Sequence, residues 1–317
     1  MTGVVPVARL DADMVTVRSD EASLFVGLGN MGRPMAVNYA SRRELFVYDV
    51  DGRTAADVAT AAGATALTDL AGVPDRVRTV ILMLPNSRIV ENVLRADGLL
   101  SGLPRGCLVI DMGSSEPAST AALATEAAAR GIDYVDAPVS GGVAKATSGE
   151  LAIMMGGDAA AVARARPHLE IMGSSLTHVG PAGSGHAAKA LNNLLSATNL
   201  AAAAEILTVA ASVGIAPATM LQVINGSTGR SQATEVKYPR HVLTGTFDSG
   251  FAMDLMLKDL AIAVGLIHGA RSEAPVVMTA QATAERARQL LGSPAPDHTE
   301  LVRYYELRSG RLLRSVN

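Results

Sequence analysis

The sequence predicts an α/β protein in two parts. A doubly wound parallel sheet with crossover helices is expected over residues 23–182, and an all-helical unit over residues 183–317. Three observations predict it. Strand-like apolar runs alternate with helix-length stretches through the first half. From Gly185 to Val213 a long helical pattern without proline then opens a second half from which strand patterns disappear. Finally, 317 residues exceed the size at which a single core usually divides.

The elements follow in order. Residues 1–22 are a polar leader carrying Asp11, Asp13, Asp20 and Glu21, expected to be an N-terminal extension and not a secretory signal. "SLFVGLG" reads as a buried strand, and "NMGRPMAVNYA" as a helix with Pro34 near its first turn, where proline is tolerated. Strand "ELFVYDV", helix "GRTAADVATAAG", strand "TVILMLP", helix "SRIVENVLRADGLL", strand "CLVIDMG", helix "PASTAALATEAAARG" and strand "DYVDAPV" continue the alternation. "GELAIMMGG" and "SLTHVGP" read as strands flanking the helix "AAAVARARPHL". Helical "PATMLQVIN", "MDLMLKDLAIAVGLIHG", "APVVMTAQATAERARQLLG" and "TELVRYYELRSGRLL" fill the second half.

Hydrophobic residues make up 49% and charged residues 18% of the chain, enough apolar surface for sizeable cores. The net charge of −3 and the lack of a basic run weigh against nucleic acid or an anionic membrane as partner. Alanine-rich Leu200–Ala216, holding Glu205 and Ser212, is read as too weakly hydrophobic to span a membrane. Cys107 is the only cysteine, which excludes an intramolecular disulfide and points to a reducing, cytoplasmic setting. The six histidines show no metal-ligand spacing, and no metal site is expected.

"FVGLGNMG" places Gly27, Gly29 and Gly32 in the G-x-G-x-x-G arrangement, leaving a strand and opening a helix. The first glycine allows the tight turn, the second lets a pyrophosphate approach the backbone, and the third lets helix and strand pack closely. Asp49, at the end of the next strand, stands where a carboxylate about 20 residues on binds ribose hydroxyls. Such a carboxylate repels a 2′-phosphate, and position 50 is valine, so NAD is favoured; nearby Arg53 keeps NADP open. A second segment, "DAPVSGGVAKATSGEL", bares much backbone. It is either a strand-to-loop turn or a place where a small anion touches the main chain.

Taken together, "GLGNMGRPMAVN", "DAPVSGG", "GSGHAAKALNN" and "LMLKDLAIA" resemble, in that order, the motifs of the β-hydroxyacid dehydrogenase family, whose best-known member is 3-hydroxyisobutyrate dehydrogenase. The resemblance runs from about residue 23 onward. It implies a Rossmann domain followed by an all-α domain like the C-terminal domain of 6-phosphogluconate dehydrogenase, with hydride transfer between a nicotinamide cofactor and a small hydroxy acid.

The resemblance also implies site residues. Gly27, Leu28, Gly29, Asn30, Met31 and Gly32, with Asp49, Leu84, Pro85, Ser114 and Lys258, would face the cofactor. Ser140, Gly141 and Gly142 would hold the substrate carboxylate, and Phe251 and Asp259 would line the cleft. Lys189 would be the general acid–base group, its pKa lowered to roughly 7–8, with Asn193 one turn later on the reacting oxygen. Lys145 stands where the family often has glycine, and two readings stay open: a solvent-facing lysine, or a contact for an extra hydroxyl or anionic group on the substrate. A homodimer or homotetramer is expected by analogy. Two alternatives stay open: an NADPH-dependent reductase of a semialdehyde (glyoxylate, succinic or tartronate semialdehyde), and a non-catalytic cofactor-binding module. Imine reduction fits less well, because related imine reductases often lack the lysine.

Overall fold

The computed structural model describes residues 21–314. The expected extension therefore lies outside the described residues, except at its end, where Ala22 already belongs to strand β1 (Ala22–Val26). Eight strands follow: β2 (Leu45–Tyr48), β3 (Thr65–Ala66), β4 (Val77–Leu82), β5 (Leu108–Asp111), β6 (Asp133–Asp136), β7 (Val139–Ser140), β8 (Leu151–Gly156) and β9 (Gly173–Gly180). They form one sheet in the order β3-β2-β1-β4-β5-β6-β8-β7, with β9 also paired to β8. The pairs from β3 through β6 are parallel, and β8 runs antiparallel to β6 and β7. The doubly wound α/β expectation is borne out.

Strand β1 shows why its sequence is continuously apolar. Leu24 and Val26 enter the core on one face of the sheet and Phe25 the core on the other, as a parallel sheet covered on both faces requires. The covering helices are α1 (Gly32–Ala40), α2 (Gly52–Ala62), α3 (Ser87–Glu91), α4 (Leu99–Gly102), α5 (Pro117–Ala129), α6 (Gly142–Ser148) and α7 (Ala159–Leu169). In α1, Pro34 falls among the first residues, whose N–H groups have no partner within a helix. Asp51 caps α2 by accepting from the Arg53 N–H (3.1 Å), and Gly63 ends it in the left-handed conformation.

Two expectations are corrected here. "SRIVENVLRADGLL" is not one helix: α3 passes into a π-helical turn (Asn92–Ala96) and breaks at Gly98, whose φ is 76°. The segment after "DAPV" is not a plain loop either, because the short strand β7 runs directly into α6.

The second half is helical: α8 (Ser184–Ser212), α9 (Pro217–Asn225), a π-helical segment (Ala233–Val242), α10 (Met253–Gly269), α11 (Pro275–Leu290) and α12 (Val302–Ser309). Helix α8 is the axis of this half. Its Leu194, Leu200 and Leu207 are buried in a core shared with Leu221, Tyr238, Met256 and Leu301. Among the described residues, α8 is long and apolar enough to cross a membrane by length and composition, against the expectation that this stretch is too weakly hydrophobic. Here that apolar surface packs against the other helices. Leu191, Leu195, Ile206, Val209 and Val213 remain exposed along its other side.

Candidate active site

The turn between β1 and α1 is built around its three glycines. Gly27 has φ 95°, and a Cβ there would lie 2.4 Å from the Met83 carbonyl oxygen. A Cβ on Gly32 would lie 1.9 Å from the Gly27 oxygen, so only glycine lets α1 sit this close to the turn. At Gly29 a Cβ would meet nothing within 4 Å: this backbone faces open space in front of the helix N-terminus. The tight turn, the close packing and the open approach thus fall on the glycines expected to supply them. Asp49 closes the arrangement by accepting from the Leu28 N–H (2.7 Å) and the Asp51 N–H (3.0 Å). Asn30 and Met31 complete the exposed turn ahead of α1. Leu84 is buried, with its carbonyl packed against Gly113, and Pro85 is exposed beside it. A cradle that a side chain would fill, with a fixed carboxylate at its edge, fits a dinucleotide.

The "DAPVSGG" segment serves two places at once. At its start, Asp136 is fully buried and accepts from the N–H groups of Gly183 (2.8 Å) and His186 (2.9 Å), which open α8. This carboxylate on a helix N-terminus explains the neighbouring glycines. A Cβ on Gly185 would lie 2.4 Å from the Met154 oxygen and 2.7 Å from Asp136 Oδ2, and one on Gly156 would lie 2.5 Å from Asp136 Oδ1. At the other end of the segment, Ser140 closes β7, and Gly141 (φ 137°) and Gly142 (φ 70°) turn the exposed chain into α6. The Lys145 side chain is exposed and folds back along Gly141. Asn38, at the end of the first motif, donates to the carbonyls of Ala146 (2.8 Å) and Thr147 (3.1 Å) and so ties α1 to α6.

With its N-terminus held by Asp136, α8 carries Lys189 and Asn193 one turn apart. The Asn193 Nδ2 donates to Asp259 Oδ2 (2.6 Å), and the Ser114 hydroxyl donates to Asp259 Oδ1 (2.6 Å). Buried Asp259 on α10 therefore joins α8 to the loop after β5. Lys258 reinforces the joint by donating to the carbonyls of Pro85 (3.0 Å) and Ser114 (2.6 Å), and its ammonium lies 3.1 Å from Asp259. Burial pushes the Lys189 pKa below the ordinary lysine value; Asp259 opposes that shift, and the Lys258 charge adds to it. Phe251 is half-buried and packs edge-on against His298, with ring centroids 5.3 Å apart. Asn192, by contrast, is exposed, and its amide reaches only Asn193 (3.4 Å).

The structure thus brings Lys189, Asn193, Ser114, Lys258 and Asp259 together, and it places the glycine turn and Asp49 at the ends of the adjacent strands β1 and β2. Sequence reasoning missed Asp136, although it stands inside a quoted motif. It also missed Lys237, a half-buried lysine on the π-helical segment that no motif marks.

Comparison with known proteins agrees with the two-part fold. Residues 24–180 match the model of the NAD binding domain of 6-phosphogluconate dehydrogenase, and residues 183–305 that of the NAD-binding of NADP-dependent 3-hydroxyisobutyrate dehydrogenase. The chain is similar to 2-(hydroxymethyl)glutarate dehydrogenase of Eubacterium barkeri, at 39% identity over 90% of this chain and 95% of that one. It is also similar to 2-hydroxy-3-oxopropionate reductase of Escherichia coli, at 33% identity over 91% and 98%. Among solved structures, 3-hydroxyisobutyrate dehydrogenase of Mycobacterium tuberculosis with L-serine superposes at a TM-score of 0.82, with 30% identity over 89% and 98% of the two chains. Ordered motifs, sheet topology and full-length similarity converge: the chain belongs to the β-hydroxyacid dehydrogenase family, enzymes that use NAD or NADP.

Proposed function

We propose that the protein oxidises a small β-hydroxy acid with NAD, reversibly, to the semialdehyde or keto acid. The observation that carries this is Lys189: its ammonium is disfavoured by burial, and its helix is joined through Asn193 and Asp259 to Ser114 in the loop after β5. A neutral amine at that point takes the hydroxyl proton during oxidation and returns it during reduction. The second N–H of the Asn193 amide would orient the reacting oxygen. Ser140 and the N–H groups of Gly141 and Gly142 would hold the carboxylate. When bound, the nicotinamide supplies the hydride acceptor or donor.

The test is NAD reduction against 3-hydroxyisobutyrate, 3-hydroxypropionate, glycerate, 4-hydroxybutyrate and threonate. Turnover of at least one acid is expected. Lys189→Ala should lower kcat by roughly 10²–10⁴ while NAD affinity stays nearly intact, as loss of a positioned acid–base group does. Unchanged turnover would remove Lys189 from the chemistry, and a protein that binds NAD but turns over no acid in either direction would be a binding module.

The preference for NAD is supported by Asp49, which is fixed by two backbone N–H groups with the exposed Val50 after it. A second reading, reduction of a semialdehyde with NADPH, is favoured by Arg53, exposed in the first turn of α2. An NADPH preference of more than about tenfold, or about 1.4 kcal/mol, decides for it. We further propose a homodimer or homotetramer in the cytoplasm. The exposed apolar residues of α8 and the buried, unpaired Cys107 support this, and light scattering of the purified protein tests the assembly.

A further inference from the structure

Lys237 is a charged group that the proposed chemistry leaves unused. It projects from the π-helical segment Ala233–Val242, a rare kind of helix that is frequently found at functional sites. Its ammonium donates to the Ser196 hydroxyl at 2.9 Å. Ser196 lies on α8 seven residues beyond Lys189 and three beyond Asn193, so the three share one helical face. At 1.5 Å rise per residue, Ser196 stands about 10 Å along the axis from Lys189. Lys237 therefore sits on the Lys189 face, displaced along the helix from the reacting position.

The carboxylate nearest in kind is Asp297, and it is already committed. Its oxygens accept from the Ser249 hydroxyl (2.8 and 2.9 Å), the Gly250 N–H (3.0 Å), the Thr299 N–H (2.9 Å) and the Thr299 hydroxyl (2.6 Å). Among the described residues Lys237 makes no ion pair, and Ser196 is its one hydrogen-bond partner. An ammonium has three donors, so two remain. A half-buried cation left unpaired is costly unless an anion completes it. Burial and the Lys189 charge, against the pull of Asp297, hold its pKa down at about 8, so it is still largely charged at neutral pH.

Resting on the hydroxy-acid reading above, we propose that Lys237 is a specificity residue: it binds a second anionic group of the substrate, beyond the reacting carbon and away from the Ser140–Gly142 loop. The preferred substrates are then hydroxy acids with two carboxylates, held at one end by the glycine loop and at the other by Lys237.

Calorimetric binding to the full-length protein saturated with NAD tests this without requiring turnover. The probes are succinate and glutarate, with butyrate as the monocarboxylate. The wild type should bind at least one dicarboxylate tenfold or more tightly than butyrate. Lys237→Met should erase that preference, a loss of about tenfold to a hundredfold for a charge-assisted hydrogen bond, while butyrate affinity stays within about twofold. Lys237→Arg should keep most of it. A wild-type ratio near one overturns the proposal whether or not the variants fold, as does an equal loss on all probes in Lys237→Met. Selective dicarboxylate binding by a protein that oxidises no hydroxy acid would support the subsite while sinking the functional reading.

Discussion

At Gly29 a methyl group would meet no protein atom within 4 Å, whereas at Gly32 it would lie 1.9 Å from the Gly27 carbonyl oxygen. The same substitution should therefore fail in two different ways. Gly29→Ala is expected to unfold within about 1 kcal/mol of the wild type but to bind NAD much more weakly, because only the approaching pyrophosphate is obstructed. Gly32→Ala is expected to lose about 1–3 kcal/mol of stability as α1 is pushed off β1. Denaturant unfolding and cofactor titration of the two variants separate the effects. Wild-type NAD affinity in Gly29→Ala would show that the pyrophosphate does not pass there. These glycines could be read in the sequence because their spacing belongs to one local turn, in which backbone contacts exclude a side chain at Gly27 and Gly32 and Gly29 faces open space. Lys237 could not, because a lone lysine ahead of Pro239 has no spacing to mark it, and its importance comes from Ser196, a partner 41 residues away.

Among the elements, α8 depends most on a residue outside itself. Asp136 on β6 accepts from two of its first N–H groups, and Gly185 leaves the space for that carboxylate. Asp136→Ala leaves both buried donors unpaired, at about 1–3 kcal/mol each. Chemical denaturation should show a loss of about 2–6 kcal/mol, and kcat should fall more than KM rises, since Lys189 follows in the second turn. A variant as stable as the wild type would remove Asp136 from this role. Elements were legible in proportion to their length. Strands β1, β2, β4 and β5 are largely apolar runs, but β3 and β7 have two residues each, too few for any periodicity to register. Helix α6 was hidden because Gly141 and Gly142 read as a turn, and the π-helical segments because their hydrogen bonding breaks the 3.6-residue pattern.

For the molecule as a whole, the two halves meet through Asp259, which takes Ser114 from one side and Asn193 from the other. Its negative charge also works against the lowering of the Lys189 pKa. In Asp259→Asn, burial and Lys258 act on Lys189 without that opposition, so the pKa falls further. Oxidation needs the neutral amine, so its rate rises as pH rises through that pKa. The rising limb of the pH–rate profile should therefore move to lower pH in the variant, even though maximal turnover also drops. A limb that stays in place would mean that Asp259 does not control the lysine. The two-part plan was legible from alternation followed by continuous helix. The joint was not, because Ser114 and Asp259 are 145 residues apart and nothing in their local sequence announces the pairing.

The carboxylate that caps the start of α8 comes from the sheet half, and this ties the fate of the acid–base group to strand β6. Were the chain severed between residues 182 and 183, the helical piece would keep Lys189 but lose Asp136, and its leading turns would fray first. The amine would then lie in solvent, without the burial that lowers its pKa.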